Sequence, residues 1–509
     1  MVLLHLEFLR ANSMNYFRQF LVILALGIFA ITLPYYRSHI FAVHFVDEDD
    51  NIVIGNYLRE GKKLYTDIFS QHQPSMFALS AALQDRVFVN NVQMVVQRHR
   101  ELMIVWSLLW VIFLVARFGF PLLLTTTVIE MSKIALLGNL FLAESIVIYP
   151  LIYVLAHYFF APSIIKTSEK IILSIVFWFL WYSLTPLWPL LILIFLIFGY
   201  KHRSDMSFLK IYITTAAIFA LLLLIITNFR DYFISALYIN YKYYIPLTTP
   251  FGFAESIYKS LFAPILAIFS TQTGELLMLI RILSVALIIN IAYLIKSKKY
   301  MQVVITVILL WLTSLRYIDP AGMLYGVFHM LPWFAVLTIL SFINDATPKL
   351  VNIIMMIMVI LAACGVARTN LFDSRIPEND YYINFSPKSD IREAVKILSV
   401  SSPQTIWVEP VMYYPHWRTK AHPYTKMVNY YGWMDQTEPM KSDLDHNLEI
   451  NLPTIVYAET KLGIGAYLEK YTPITREGKP SGLYLRADQV DGLSKETRAH
   501  LLYYRFEIN

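Results

Sequence analysis

Four carboxylates stand side by side at Asp47, Glu48, Asp49 and Asp50, shortly beyond an apolar run near the N-terminus. Charges this close repel, and each raises the proton affinity of the next. Such a cluster suits a general base or a hard-cation site; the plainer alternative is a solvated, acidic loop start. Asp67 and His72 follow within the same polar stretch. Arg98 and Arg100 stand directly before the next apolar run, and a guanidinium's planar fork suits two phosphate oxygens at once, although a cation there can also serve as a headgroup anchor. Further along are Glu144, His329 and the Arg316/Asp319 pair, all beside apolar runs. Ionisable residues so placed are functional candidates, with burial in a hydrogen-bonded or interfacial setting as the alternative.

The elements that must position these groups are mostly membrane helices. Of 509 residues, 57% are hydrophobic and only 15% charged, against about 25% in soluble domains. The deficit lies before residue 368. A span needs roughly 20 apolar residues. About eleven candidates are expected, near 16–35, 101–117, 120–142, 145–162, 171–185, 187–200, 209–228, 276–295, 301–316, 325–343 and 349–367. Thr185-Pro186-Leu187-Trp188-Pro189 divides the fifth from the sixth. The stretch 251–272, apolar but broken by Pro250 and Pro264, reads as interfacial or re-entrant. Charges are expected to sit at span ends, and no internal repeat is visible. Lys and Arg cluster after even-numbered spans and before the first. The positive-inside rule then puts the N-terminus in the cytoplasm, and the loop at about 37–100 and everything after 368 on the outer face. The one cysteine, Cys364, lies in an apolar run, which excludes a disulfide framework. No small-residue cleavage site follows the first run, so it is expected to be retained.

The chain therefore divides into a membrane domain, 1–368, and a small soluble α/β domain, 369–509. In the latter a helix is expected from Ser386-Pro387, with Ser386 as cap. Strands are expected at Thr405–Val408, Thr454–Tyr457 and Gly482–Arg486, with a helix after the second running to Leu468. Neither a phosphate-cradling glycine loop nor a Cys/His zinc pattern occurs there. A docking or substrate-positioning role is expected.

Between Asp47 and Pro74 the spacing itself is informative. Asp47-Glu48 is followed by a short helix ending in Leu58 and Gly61, then Tyr65 with Asp67, then Pro74 leading another helix. This arrangement resembles the first outer loop of the GT-C superfamily of membrane glycosyltransferases, which includes protein O-mannosyltransferases and the aminoarabinose transferases of lipid A. His72 stands where relatives often carry a basic residue. Phe328-His329-Met330-Leu331-Pro332 is similar to a His-Tyr-x-x-Pro pattern of the family. The resemblance implies a polyprenyl-phosphate-sugar donor, a glycan, lipid or protein acceptor, and inverting transfer of a hexosyl or pentosyl group in a bacterial cytoplasmic (inner) membrane. Asp47 would be the base and Glu48 its positioning partner. Arg100, then Arg98, would hold the departing phosphate, with Asp67, His72, Glu144 and His329 positioning substrate or loop. A divalent cation, Mg or Mn, on Asp47 and Glu48 is left open, because the second acidic motif of the metal-dependent members is not evident here. No nucleic acid partner is expected.

A transporter or flippase of a lipid-linked or envelope substrate is the competing reading. It calls for mid-membrane charge and repeats. An O-antigen ligase or polymerase would carry its large outer loop late in the chain. A non-catalytic scaffold leaves the Asp47–Pro74 spacing unexplained.

Overall fold

The computed structural model describes residues 2–160, 166–201, 203, 205–248, 253–313, 327–342, 347–372, 381–400, 404–409, 413–459 and 463–508. Arg316 and Asp319 lie outside these. The chain forms two compact units. One comprises 1–40, 100–219 and 251–377; the other comprises 41–99, 220–250 and 378–509.

The first unit is helical. Six helices, two of which run on into the second unit, are long and apolar enough to cross a membrane: Tyr16–Ser38, Val92–Phe118, Ala143–Phe160, Met206–Ile226, Glu275–Lys296 and Lys349–Arg368. Shorter apolar helices include Trp188–Lys201, Tyr300–Leu312 and Leu331–Phe342. At the centre, Leu331–Phe342 packs on Phe120–Ser132, Ala143–Phe160 and Glu275–Lys296. Every residue from Leu331 to Ser341 is buried, and such a helix, apolar all round, belongs in a core. Met206–Ile226 instead exposes Leu221, Leu222 and Ile225. The Thr185–Pro189 break is real: Thr167–Trp181 ends, a 3-10 turn spans Thr185–Leu187, and Trp188–Lys201 begins. The third expected span is α-helical only over Phe120–Ser132; it tightens into a 3-10 turn at Lys133–Leu136, with Leu137 left-handed at φ 57°. The 251–272 stretch contains one helix, Phe253–Phe269, with Pro264 inside it.

The second unit is built on a six-stranded sheet: β1 Gln404–Glu409, β2 Ala421–Pro423, β3 Ile455–Ala458, β4 Tyr471–Arg476, β5 Lys479–Arg486 and β6 Phe506–Ile508. The order is β2-β1-β3-β5-β4-β6. β1 runs parallel to β2 and β3, and the remaining pairings are antiparallel. Alternation along a strand sends neighbouring side chains to opposite faces. Ile406, Val408, Ile455 and Tyr457 pack with Val395 and Leu398 of the Ser386–Leu398 helix. Trp407, Val456 and Ala458 pack with Tyr430, Leu444 and two residues from outside the tail, Phe69 and Ile239. The sheet's second layer therefore draws on the first loop and on 220–250.

Three local expectations need correction. The Ser386–Leu398 helix is capped by Phe385, with Ser386 already inside it. The stretch leading to Leu468 is a 3-10 helix, Gly465–Lys470, rather than an α-helix. The helix after the first span begins at Val46, so the four acids lie in its opening turns rather than before it. That helix packs on Ser75–Arg86 through Gly55, where an added Cβ would stand 2.4 Å from Ser80 Oγ and 3.0 Å from the Ala81 backbone nitrogen. Only a residue without a side chain permits so close a crossing.

Candidate functional site

Helix Val46–Arg59 places the quartet at its N-terminus, where partial positive charge favours carboxylates. Its orientation treats the four acids differently. Glu48, Asp49 and Asp50 are buried, whereas Asp47 is partly exposed. Asp49 Oδ2 lies 2.5 Å from His44 Nε2. Lys388, from the Ser386–Leu398 helix, feels the Asp49 charge, although burial is the larger influence and lowers its proton affinity. Asp50 hydrogen-bonds with the Tyr413 and Ser70 hydroxyls. Burial, followed by the charge on Asp47, pushes the Asp50 carboxyl well above the usual range; the bonds from Tyr413 and Ser70 act the other way, and Asp49 adds to the rise. Tyr413 and Tyr431 hydroxyls are 2.9 Å apart, and burial is the main reason both phenols hold their protons more tightly than usual. Asp47 is thus the one acid of the four with partial exposure.

The tail fixes the surrounding scaffold. Trp417 Nε1 donates to Gln84 Oε1 at 2.9 Å, and Gln84 Nε2 donates to the Ile52 carbonyl at 2.8 Å. The Tyr57 hydroxyl lies 3.1 Å from His416 Nδ1. Burial lowers the His416 pKa to about 3, so that imidazole is neutral at ordinary pH. Phe69 N–H donates to the Lys426 carbonyl at 2.7 Å.

The other sequence-derived candidates separate into groups. Asp67 is exposed and braces a turn: its Oδ2 accepts from the Lys63 N–H at 2.7 Å. The turn holds Tyr65 at φ 64°, with its hydroxyl donating to the His72 carbonyl at 2.7 Å. His72 N–H donates to Ser70 Oγ at 3.1 Å, so His72 is one residue removed from Asp50 through Ser70. Arg98 is half-buried and belongs to the same unit as the quartet. Arg100 belongs to the helical unit; it is only 1% exposed, and its Nη1 donates to the Ile40 carbonyl at 2.7 Å. Glu144 and His329, singled out independently, meet at 3.2 Å. Among the described residues no three His, Cys, Asp or Glu side chains converge as a metal site.

The expectation that charges keep to span ends fails at Glu130 and Lys133. Both are 2% exposed, inside the third apolar run. Lys133 Nζ donates to Glu130 Oε1 at 2.8 Å and to Ser107 Oγ at 2.6 Å. Tyr36 and Tyr149 hydroxyls donate to the Glu130 carboxylate. The signal was present as opposite charges three residues apart on one helical face. Tyr413, Ser70 and His44 carried no comparable signal, because their relation to the quartet is made by folding. Comparison with protein-family models and with curated proteins returns no match.

Proposed function

We propose that this chain is a membrane glycosyltransferase that moves a sugar from a polyprenyl-phosphate donor to an acceptor hydroxyl on the outer face, with inversion. Asp47 takes the proton as the hydroxyl oxygen bonds to the anomeric carbon and the lipid phosphate leaves. The observation carrying this reading is the sorting of the quartet, in which three acids are buried and Asp47 keeps partial access. Arg100, then Arg98, are the cations assigned to the departing phosphate, whose charge needs stabilisation.

The eleven-span topology gains support from chain order. Segments 41–99, 220–250 and 378–509 fold as one unit, so they must share one side of the membrane. With eleven spans they follow the first, seventh and eleventh and therefore do share it. Crossing at the six long helices alone would put 41–99 opposite the other two segments. Each of the eleven apolar runs contains a helix among the described residues, and six of these helices are long enough to cross. The outer-face placement of the soluble unit in a bacterial inner membrane belongs to this proposal.

The test compares envelope glycans of a deletion strain restored with wild-type protein or with Asp47→Asn. Loss of a general base slows transfer about 10²–10⁴-fold, so the transferred sugar should disappear. Wild-type glycans in the Asp47→Asn strain would overturn the assignment. The buried Glu130–Lys133 pair favours a second reading, a transporter or flippase. Normal lipid transport by Asp47→Asn with sugar transfer abolished selects the enzyme.

A further inference from the structure

Residues 229–248 form one continuous helix, wound as a π-helix over Phe233–Tyr244. It begins two residues after Met206–Ile226, a helix apolar enough to span a membrane. Its two faces differ sharply. Tyr232, Ala236 and Ile239 are buried, and Ile239 joins Trp407 and Tyr430 in the core of the second unit. On the other face Phe229, Phe233, Tyr238, Tyr241 and Ile245 are exposed, Phe233 to 59% and Tyr241 to 71%. A water-soluble surface does not ordinarily display a continuous stripe of this kind.

We propose that the helix at 229–248 is a membrane-surface element whose exposed aromatic face lies in the headgroup and acyl boundary of the bilayer. Three observations bear on the partner. The stripe continues from the end of an apolar helix, so the chain delivers it to the depth at which that helix leaves the hydrocarbon. Its residues are chiefly Tyr and Phe, and amphipathic rings favour that zone. Its cations are placed for lipid phosphates: Arg230 is exposed, and Lys242 Nζ donates to the Tyr238 hydroxyl at 2.7 Å while lying 5.1 Å from the centres of the Tyr238 and Tyr243 rings. A lysine over ring faces with its ammonium at the rim can reach headgroups.

The buried face gives this placement a consequence for the acidic loop. The Tyr232 hydroxyl donates to Gln73 Oε1 at 3.0 Å, and Asn240 Nδ2 donates to the Gln71 carbonyl at 2.8 Å. The Tyr65 and Tyr232 rings are 5.7 Å apart. The segment that contains Ser70, a partner of Asp50, is thereby tied to the membrane-surface helix. The inference holds whether or not a sugar is transferred.

Nitroxide labels on cysteines test it, in the full chain carrying Cys364→Ser and reconstituted in nanodiscs of phosphatidylethanolamine and phosphatidylglycerol. Labels at Phe233→Cys and Tyr241→Cys should collide severalfold more with oxygen than with a water-soluble nickel chelate, approaching a label at Leu221→Cys on the preceding apolar helix. A label at Tyr503→Cys, on the exposed tail surface, sets the aqueous value. Nickel access at both helix positions equal to that at Tyr503→Cys overturns the proposal. So does poor access of both reagents, which would mean that protein covers the stripe. All four sites are exposed, so failure of one variant to fold leaves the neighbouring site to decide.

Discussion

At the scale of single residues, the quartet shows how one helical turn makes different acids from similar side chains. Burial raises the native Asp50 carboxyl above the value of about 3.9 that it has in the unfolded chain. Its contribution to stability is complete below that value and is lost as pH rises through its elevated native pKa. Asp50→Asn removes this loss. In thermal unfolding of the reconstituted protein between ~pH 4 and ~pH 9, the variant should gain on wild type as pH rises. A difference that stays flat with pH would mean that Asp50 ionises normally. Tyr413→Phe takes a donor from the same carboxyl and should cost about 1–3 kcal/mol. The acids themselves were plain in the sequence, because four in a row beside an apolar run stand out by composition. Which of them stays accessible was not, since Asp49 and Asp50 meet His44, Ser70 and Tyr413 only on folding, the last of them remote along the chain.

At the scale of elements, Glu130 and Lys133 join the helices carrying Tyr36, Ser107 and Tyr149. Removing one partner strands the other in a buried site at a cost of about 3–5 kcal/mol. Glu130→Gln and Lys133→Met should each lower the melting temperature clearly, and the double variant should lose less than the sum of the two. Additive losses would show that the pair acts as two separate groups. The apolar runs made the helices legible, since length and hydropathy leave few other structures in lipid. The helix at 229–248 was not legible. Its exposed apolar positions, 229, 233, 234, 238, 241, 245 and 247, step irregularly, and its wide winding departs from the 3.6-residue period that marks an amphipathic α-helix. Strand β4 was hidden for another reason: Pro473 within it reads as a breaker, although the residue tolerates a place in this sheet.

At the scale of the whole molecule, the second unit has no contiguous sequence of its own. Phe69 and Ile239 sit in the core layer beneath Trp407 and Val456, and Trp417 is held by Gln84. The tail expressed alone, 378–509, should therefore lack a closed core and give poorly dispersed amide spectra. Co-expression with 41–99 and 220–250 supplies the missing layer. A well-dispersed spectrum from the tail alone would show that it is self-sufficient. The tail's helix at 386 and strands β1, β3 and β5 could be read locally from caps and alternation. Its dependence on Phe69 and Ile239 could not, because nothing local in 41–99 or 220–250 marks those side chains as core residues of a distant sheet.

The bond between Asp50 and Tyr413 also sets an order in time. A ribosome makes Tyr413 about 360 residues after Asp50, which at about 5–20 residues per second is roughly 20–70 s later. Until then the acids of the loop have no Tyr413 or Lys388 to sort them. A chain stalled before the tail would carry all four carboxylates with His44 and Ser70 beside them, but neither Tyr413 nor Lys388. The surroundings of Asp50 are therefore complete only once the tail has begun to be made.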